Sequence, residues 1–324
     1  MLNTAIVGLG WWGKTLVKAA RDFGAPIRFV RGVSMEPDTV RDFAAEHKIA
    51  LGTSFEEVIA DPQVQAVVLA TPHSMHRAQV EAAAAAKKHI YCEKPFALSK
   101  ADAAAALDAC QRAGVVIAVG HHFRLMPSMR VLAELKDAGA FGTIMHVEGN
   151  YSHDWLANYP ADSWRMIAQE SRAGGMTSQG VHVLDCFRDL VGPMKRISAL
   201  SKSRALKAAA GDTTAALIEF ENGATGTLGT TIKAPFDWRI AVYGENTTAT
   251  SVSETRAIVR RAGQEPEVID KPADFHLGRN LDYFAKAALG QGTFPISPAG
   301  ILQTAAALEA VFKSVDANGA WMTV

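Results

Sequence analysis

The chain has 324 residues, 48% of them hydrophobic and 20% charged, so it can bury a substantial core and lacks the composition of a disordered protein. Lysine plus arginine equals aspartate plus glutamate at 33 each, which leaves no net field to recruit nucleic acid or an anionic membrane surface. No apolar run approaches membrane-spanning length and the opening "MLNTAIVGLG" has no leader pattern, so a soluble, cytoplasmic, two-domain protein is expected.

Short β-rich runs and helical patterns alternate through the first part of the chain. "TAIVGL" reads as a strand, residues 14–23 as a helix, "IRFVRGV" as a strand, and residues 39–48 as a helix with Val40, Phe43 and Ala44 on one face. Ser54 followed by Glu57 is a capping-box signal for a short helix. "QAVVLAT" is a fully apolar strand, the segment around "AQVEAAAAAKK" a helix, and "HIYCE" another strand. Ser99 can cap a helix that Gly114 ends before the strand "VVIAVG". This α/β alternation predicts a doubly wound parallel sheet with helices on both faces, a first domain over residues 1–120.

The pattern changes near residue 121. A helix over residues 128–137 precedes the long strand "GTIMHVEGNYSHD", and beyond Gly192 strands follow one another without helices. Asn222-Gly223, between "TTAALIEFE" and "ATGTLGTTI", marks a hairpin. A second α/β domain with a largely antiparallel open sheet is predicted over residues 121–324. It closes with the helix "SPAGILQTAAALEAVFKSV", whose residues 298–315 can pack back on the first domain. Cys92, Cys110 and Cys186 are far apart and form no C-x-x-C pair, which predicts reduced thiols.

"AIVGLGWWGK" places Gly8, Gly10 and Gly13 after a strand and before a helix, with Trp11 and Trp12 inside the loop. Backbone amides at a helix amino terminus can there approach a pyrophosphate, so a bound dinucleotide is expected. The end of the second strand should choose between NAD and NADP, because a carboxylate there accepts from the ribose hydroxyls and repels a 2′-phosphate. That position holds Ser34, whose hydroxyl can donate to a phosphate; Arg31 is a candidate second contact, while Glu36 and Asp38 oppose one. NADP is therefore expected ahead of NAD. Lys94 in "CEKPF" ends a later strand, on the rim where open parallel sheets bind ligands. It can hydrogen-bond a substrate hydroxyl and stabilise growing alkoxide-like charge, or simply pair with Glu93.

The glycine loop, "ATPHSMH" at residues 70–76, "EKPFALS" at 93–99 and "GVHVLD" at 180–185 together resemble the Gfo/Idh/MocA oxidoreductase family, and the closing helix is similar to that family's. The resemblance runs the whole chain. It implies a Rossmann domain, a second α/β domain whose open sheet serves homodimer or homotetramer formation, and a nicotinamide cofactor between them. It also implies that Glu93, Lys94 and Pro95 line the nicotinamide end, with Lys94 touching the substrate and the Lys-Pro bond often cis. Thr71, Pro72, His73 and His76 then border the cofactor, and Arg165 of "SWR" reaches toward the nicotinamide.

Helical spacing in "GGMTSQGVHVLD" and beyond puts Ser178, His182, Asp185 and Asp189 on one face and Val181, Leu184, Phe187 and Val191 on the apolar one. His182 is thus available as a general acid/base near neutral pH, or as a histidine hydrogen-bonded at the domain interface. The resemblance implies an aspartate one turn before this histidine, the two facing the substrate. Here that position is Ser178, and Asp185, one turn further on, is the carboxylate able to substitute in part. In "GHHFRLMP", His121, His122 and Arg124 can meet an anionic or polyhydroxylated substrate. Adjacent histidines on a strand point to opposite faces, so no metal site is expected.

Trp155 and Trp164, beside Asp154 and Arg165, suit a sugar or aromatic ring, or belong to the core; Arg124 or Arg165 could clamp a substrate carboxylate. The expected function is an NAD(P)-dependent oxidoreductase moving hydride between nicotinamide and a secondary alcohol, hemiacetal or ketone of a sugar, cyclitol or dihydrodiol. Lys94 would hold the oxygen and His182 exchange the proton. The alternative is a non-catalytic NAD(P)-sensing regulatory protein on the same scaffold.

Overall fold

The computed structural model describes residues 1–159, 163–206 and 211–324. Residues 1–97, 101–122 and 275–302 form one compact unit, and residues 98–100, 123–274 and 303–324 a second. In chain order the elements begin β1 (Leu2–Val7), α1 (Trp11–Phe23), β2 (Ile27–Val33), α2 (Pro37–Glu46), β3 (Ala50–Leu51) and α3 (Phe55–Ala60). They continue with β4 (Ala66–Leu69), α4 (His76–Ala85), β5 (His89–Cys92), α5 (Lys100–Ala113), β6 (Ile117–Val119), α6 (Pro127–Asp137), β7 (Ile144–Ser152) and α7 (Val181–Leu190). The strands β8 (Met194–Lys202), β9 (Thr213–Phe220), β10 (Thr225–Thr231), β11 (Asp237–Gly244), β12 (Thr247–Ser251), β13 (Arg256–Arg261) and β14 (Glu267–Asp270) then follow. The chain ends with α8 (His276–Ala288), α9 (Pro298–Asp316) and β15 (Met322–Thr323).

In the first unit the strand order is β3-β2-β1-β4-β5-β6, and every neighbouring pair is parallel. β4, "AVVL", is buried at every position, as a central parallel strand covered on both faces must be. The order reverses between β1 and β4, so their following turns leave toward opposite faces and open a crevice at the strands' carboxyl ends. α3 starts as expected, with Ser54 Oγ accepting from the Glu57 N–H at 3.1 Å; the Glu57 carboxylate takes the Thr53 N–H at 2.8 Å, one residue before the cap.

α8 brings the chain back to the first unit, where Leu281, Phe284 and Ala285 share a core with Leu16, Val17 and Ala20 of α1. Gly278 makes that contact possible, since a Cβ there would lie 2.4 Å from Cβ of Phe23.

The second unit is built on a sheet of order β14-β13-β12-β11-β7-β10-β9-β8-β15, antiparallel at every pair except β10 with β7. α6, α7 and α9 supply Leu132, Val183, Phe187, Leu308 and Val311 to a core shared with Val147, Ile197, Ile218 and Ile240 of the strands. The part of α9 from Gln303 onward belongs to this unit. The Asn222-Gly223 turn joins β9 to β10, with Gly223 at φ +87°.

No helix among the described residues is long and apolar enough to cross a membrane. All three cysteines are buried, and burial pushes each thiol up, that of Cys110 to about 12, so none is poised as a thiolate.

Candidate functional site

In the first unit the turn between β1 and α1 is a cradle of backbone. Gly8 stands at φ +91°, and a Cβ on it would lie 2.5 Å from the Ala70 carbonyl at the end of β4; one on Gly13 would lie 2.2 Å from the Gly8 carbonyl. The Gly8 and Leu9 amides donate to the Val33 carbonyl at 3.0 and 3.1 Å, fixing the turn to the end of β2. Gly10 is the N-cap of α1, without a side-chain cap and with no acidic residue in the first turn. A Cβ on Gly10 would meet nothing within 4 Å.

An uncapped helix amino terminus with open space in front of it fits the pyrophosphate of a dinucleotide. Gly10→Ala is therefore expected to fold with a stability change within about 1 kcal/mol. It should weaken dinucleotide binding at least about tenfold, the worth of one hydrogen bond to a charged group. Paired thermal unfolding and NADPH titration check it; equal affinity would mean that the phosphates do not come to Gly10.

At the end of β2, Ser34 is half-buried and its Oγ accepts the Glu36 N–H at 3.2 Å. Arg31 does not join it. Arg31 Nε donates to Asp61 Oδ2 at 2.7 Å, so its candidacy as a phosphate contact is corrected: strand alternation turns this side chain to a carboxylate of its own unit.

The turns after β4 and β5 are tied together by His76. Its ring is fully buried, with Nδ1 2.9 Å from the Pro95 carbonyl and Nε2 3.1 Å from the Thr71 carbonyl. That makes His76 a strut between two loops, a correction to the expectation that it borders the cofactor directly. Thr71 donates to Gln79 Oε1 at 2.6 Å, Pro72 precedes the short turn His73–Met75, and the His73 ring lies edge-on to His76 at 5.9 Å. The Lys94-Pro95 bond is cis.

Glu93 is buried. Desolvation raises its pKa, opposed by the Lys94 charge, by Trp12 and by the Lys94 amide. The amide donates to Glu93 Oε2 at 3.2 Å, whereas Trp12 Nε1 lies near the carboxyl but outside hydrogen-bond geometry. Trp11 is 63% exposed and Trp12 half-buried. His122 is buried with its Nδ1 2.8 Å from Nδ1 of His276, the first residue of α8. Burial, then His276, Lys94 and His121, push its pKa well below the usual histidine value.

In the second unit the stretch before α7 does not open as an ordinary helical turn. Met176–Gly180 forms a π-turn running into Val181. Gln179 draws the backbone out: its Nε2 donates to the His153 carbonyl at 3.0 Å and its Oε1 accepts from Thr230 on β10 at 3.0 Å. Ser178 and His182 are both buried.

His182, Asp185 and Asp189 face the short turn Phe123–Leu125. The His182 ring stacks on Phe123 at 4.2 Å and 14°. Arg124 Nε and Nη2 grip the two Asp185 oxygens at 2.7 and 2.6 Å, and Nη1 reaches Asp189 at 2.7 Å. Burial works against the Arg124 charge, and Asp185 followed by Asp189 more than offsets it, so its pKa is raised. Arg124 and Asp185 were expected at the substrate; the structure corrects both, because each is the other's buried partner.

Trp155 and Trp164 are half-buried and outside the core. Trp155 meets Tyr159 edge-on at 5.6 Å, and the Arg165 guanidinium lies 4.2 Å over Trp164 and 5.1 Å over Tyr159. Residues 160–162 of the same stretch lie outside the described residues. The sequence reading missed Phe123, Tyr151 and Trp238, which surround His182 or its stacking partner. The alternation of Trp238 with Ile240 on β11, opposite Tyr151 on β7, is the signal that could have found two of them. Among the described residues no group of three or more His, Cys, Asp or Glu could hold a metal ion.

Comparison with known proteins places these two units in a family. Residues 2–121 match the model described as "Oxidoreductase family, NAD-binding Rossmann fold", and residues 129–250 match the GFO/IDH/MocA C-terminal domain. A levoglucosan dehydrogenase of Pseudarthrobacter phenanthrenivorans is 33% identical over 209 residues, 61% of this chain and 53% of the relative. A D-apiose dehydrogenase of Paraburkholderia graminis is 32% identical over 230 residues, 68% of this chain and 58% of the relative. The chain thus spans about half the length of the curated relatives it matches. A solved levoglucosan dehydrogenase, in complex with NADH and levoglucosan, superposes with TM-score 0.89 over 100% of this chain and 99% of that one; at 24% identity this shows the fold alone. Matched in its amino-terminal and its carboxyl-terminal parts by models of one family, the chain belongs to the GFO/IDH/MocA oxidoreductases.

Proposed function

We propose that this chain is an NADP(H)-dependent dehydrogenase or reductase acting on a secondary alcohol, hemiacetal or ketone of a sugar-like molecule. One observation carries the reading: the glycine turn leaves the uncapped start of α1 open at Gly10, while Gly8 and Gly13 hold the turn against the ends of β2 and β4. The names of the curated relatives, dehydrogenases of levoglucosan and D-apiose, support a sugar-like substrate.

A bound nicotinamide supplies the ring that accepts or donates the hydride. The chain's residues do the rest. The first amides of α1 hold the pyrophosphate, and Thr71, Pro72 and His73 border the dinucleotide. Ser34, accepting the Glu36 amide, retains its own hydroxyl proton to donate to a 2′-phosphate, and no carboxylate occupies its position to repel one. Lys94 donates to the substrate oxygen and stabilises the charge that grows there, and His182 takes or returns the hydroxyl proton. His122, Trp155, Trp164 and Ser178 are the remaining substrate contacts of this reading and Arg165 a cofactor contact. Self-association through the open face of the second sheet, where Leu200 and Leu217 are 52% and 53% exposed, belongs to it as well.

The test is a parallel fluorescence titration of the purified protein with NADPH and NADH, for which Trp11 and Trp12, the first two residues of α1, are built-in probes. Tighter NADPH binding is expected. A preference for NADH would transfer the assignment to NAD and remove Ser34 from the phosphate. Binding of neither would overturn the reading.

A further inference from the structure

We infer that Phe123 is a positioning residue that fixes the plane of the His182 ring. The inference rests on the reading of His182 as the proton-transfer group. It stands on three observations within the second unit. First, the two rings are nearly parallel, 4.2 Å between centroids and 14° between planes. Second, Phe123 is anchored through its neighbour: Arg124 makes four donations to α7, to both Asp185 carboxylate oxygens, to the Asp185 carbonyl at 3.2 Å and to Asp189. The turn that carries Phe123 therefore cannot drift along the helix that carries His182.

Third, Phe123 is braced from behind. The Trp238 ring meets it edge-on at 5.2 Å and 74°; Trp238 is 2% exposed, and its indole N–H donates to Ser251 Oγ at 2.9 Å. Ser251 in turn meets Ser128 of α6 at 2.8 Å. Tyr151, paired with Trp238 across β7 and β11, fills the side, 5.1 Å from Phe123 and 6.3 Å from His182. Rotation of the imidazole about Cβ–Cγ would have to displace Phe123, which the buried Trp238 backs.

A general acid/base works only while its nitrogen is aimed at the proton it moves, so a locked plane is worth rate. The π face of Phe123 also favours the charged imidazolium over the neutral ring. Tyr151 on β7, whose phenol burial pushes up to about 12, flanks this ring, and Arg124 with its two carboxylates, Asp185 and Asp189, lies beside the turn that carries Phe123.

The experiment is histidine-labelled NMR on the full chain, with the His182 ring signal assigned by its loss in His182→Asn. In Phe123→Leu the His182 Cε1–H signal should leave the ring-current field, and its titration midpoint should fall by about half a pH unit. Phe123→Tyr should restore both, and NADPH affinity should hold in each variant. In turnover, Phe123→Leu should lose about tenfold or more in kcat with KM held. A His182 signal in Phe123→Leu that keeps its shift and midpoint would overturn the inference. Full turnover by His182→Ala would instead sink the reading of His182 itself, and the NMR result would still decide whether Phe123 sets the ring.

Discussion

Lys94→Ala is expected to lower kcat by about 10²–10³-fold and His182→Ala by about 10²–10⁴-fold, with dinucleotide affinity little changed in either. Lys94 follows β5 at the carboxyl end of a parallel strand, and the residue before it is a buried carboxyl whose pKa burial raises and the Lys94 charge lowers. The ammonium thus already serves a negative group. Offered the oxygen of an alcohol whose carbon gives up hydride and whose hydroxyl gives up its proton, it donates to charge that is larger in the transition state than in the ground state, and only such an interaction accelerates the step. Removing it lets Glu93 take up a proton more readily but supplies no substitute donor. Lys94→Arg keeps the charge on a broader, planar group and should recover only part of the rate. In the proposed reading His182 has a different part, the transfer of the hydroxyl proton. If both serve one step, the double variant should be scarcely slower than the slower single one, because residues acting as a unit are not additive. Full turnover by both single variants on the same substrate would falsify the assignment. A wild-type protein that binds NADPH tightly and turns over no sugar-like alcohol would favour a cofactor sensor on this scaffold.

The parts of this site that the sequence discloses are those whose physics is local. A glycine turn between a strand and a helix is a steric device complete within a few residues, and Gly8 and Gly13 sit where a Cβ would strike backbone. The fully buried β4 and the Ser54 cap are equally local. What stays hidden depends on partners far along the chain. Arg124 has the residue type for a bidentate clamp on a carboxylate, but nothing in the sequence distinguishes a substrate carboxylate from Asp185, 61 positions away. Arg31 and Asp61 pose the same problem at a separation of 30. The π-turn at Met176–Gly180 escapes a reading based on 3.6-residue spacing, because the buried bonds of Gln179 widen it. α8 hides for another reason. It has no side-chain cap at Phe275, and Gly278, which weakens the helical signal, is what lets it approach α1.

Arg124→Met is expected to destabilise the protein by about 3–5 kcal/mol, measured by denaturant unfolding, because it leaves the Asp185 carboxylate buried without its cation. The Asp185 side chain is 1% exposed, so water cannot take over; Asp189, at 28%, keeps access to solvent and should contribute less. Arg124→Lys should recover only part of the loss, since one ammonium cannot reproduce a fork that donates to Asp185 Oδ1 and Oδ2, the Asp185 carbonyl and Asp189 at once. Removing both charges is a different experiment. Arg124→Met with Asp185→Leu exchanges a desolvated ion pair for apolar contact and should be close to wild-type stability, as such replacements often are. The double variant would therefore separate two roles of the pair. If it is stable yet slow, the ion pair serves to hold the Phe123 turn in register with the helix of His182, and the fold does not otherwise need it. An Arg124→Met protein of unchanged stability that loses only affinity for a carboxylate-bearing substrate would return Arg124 to the substrate after all.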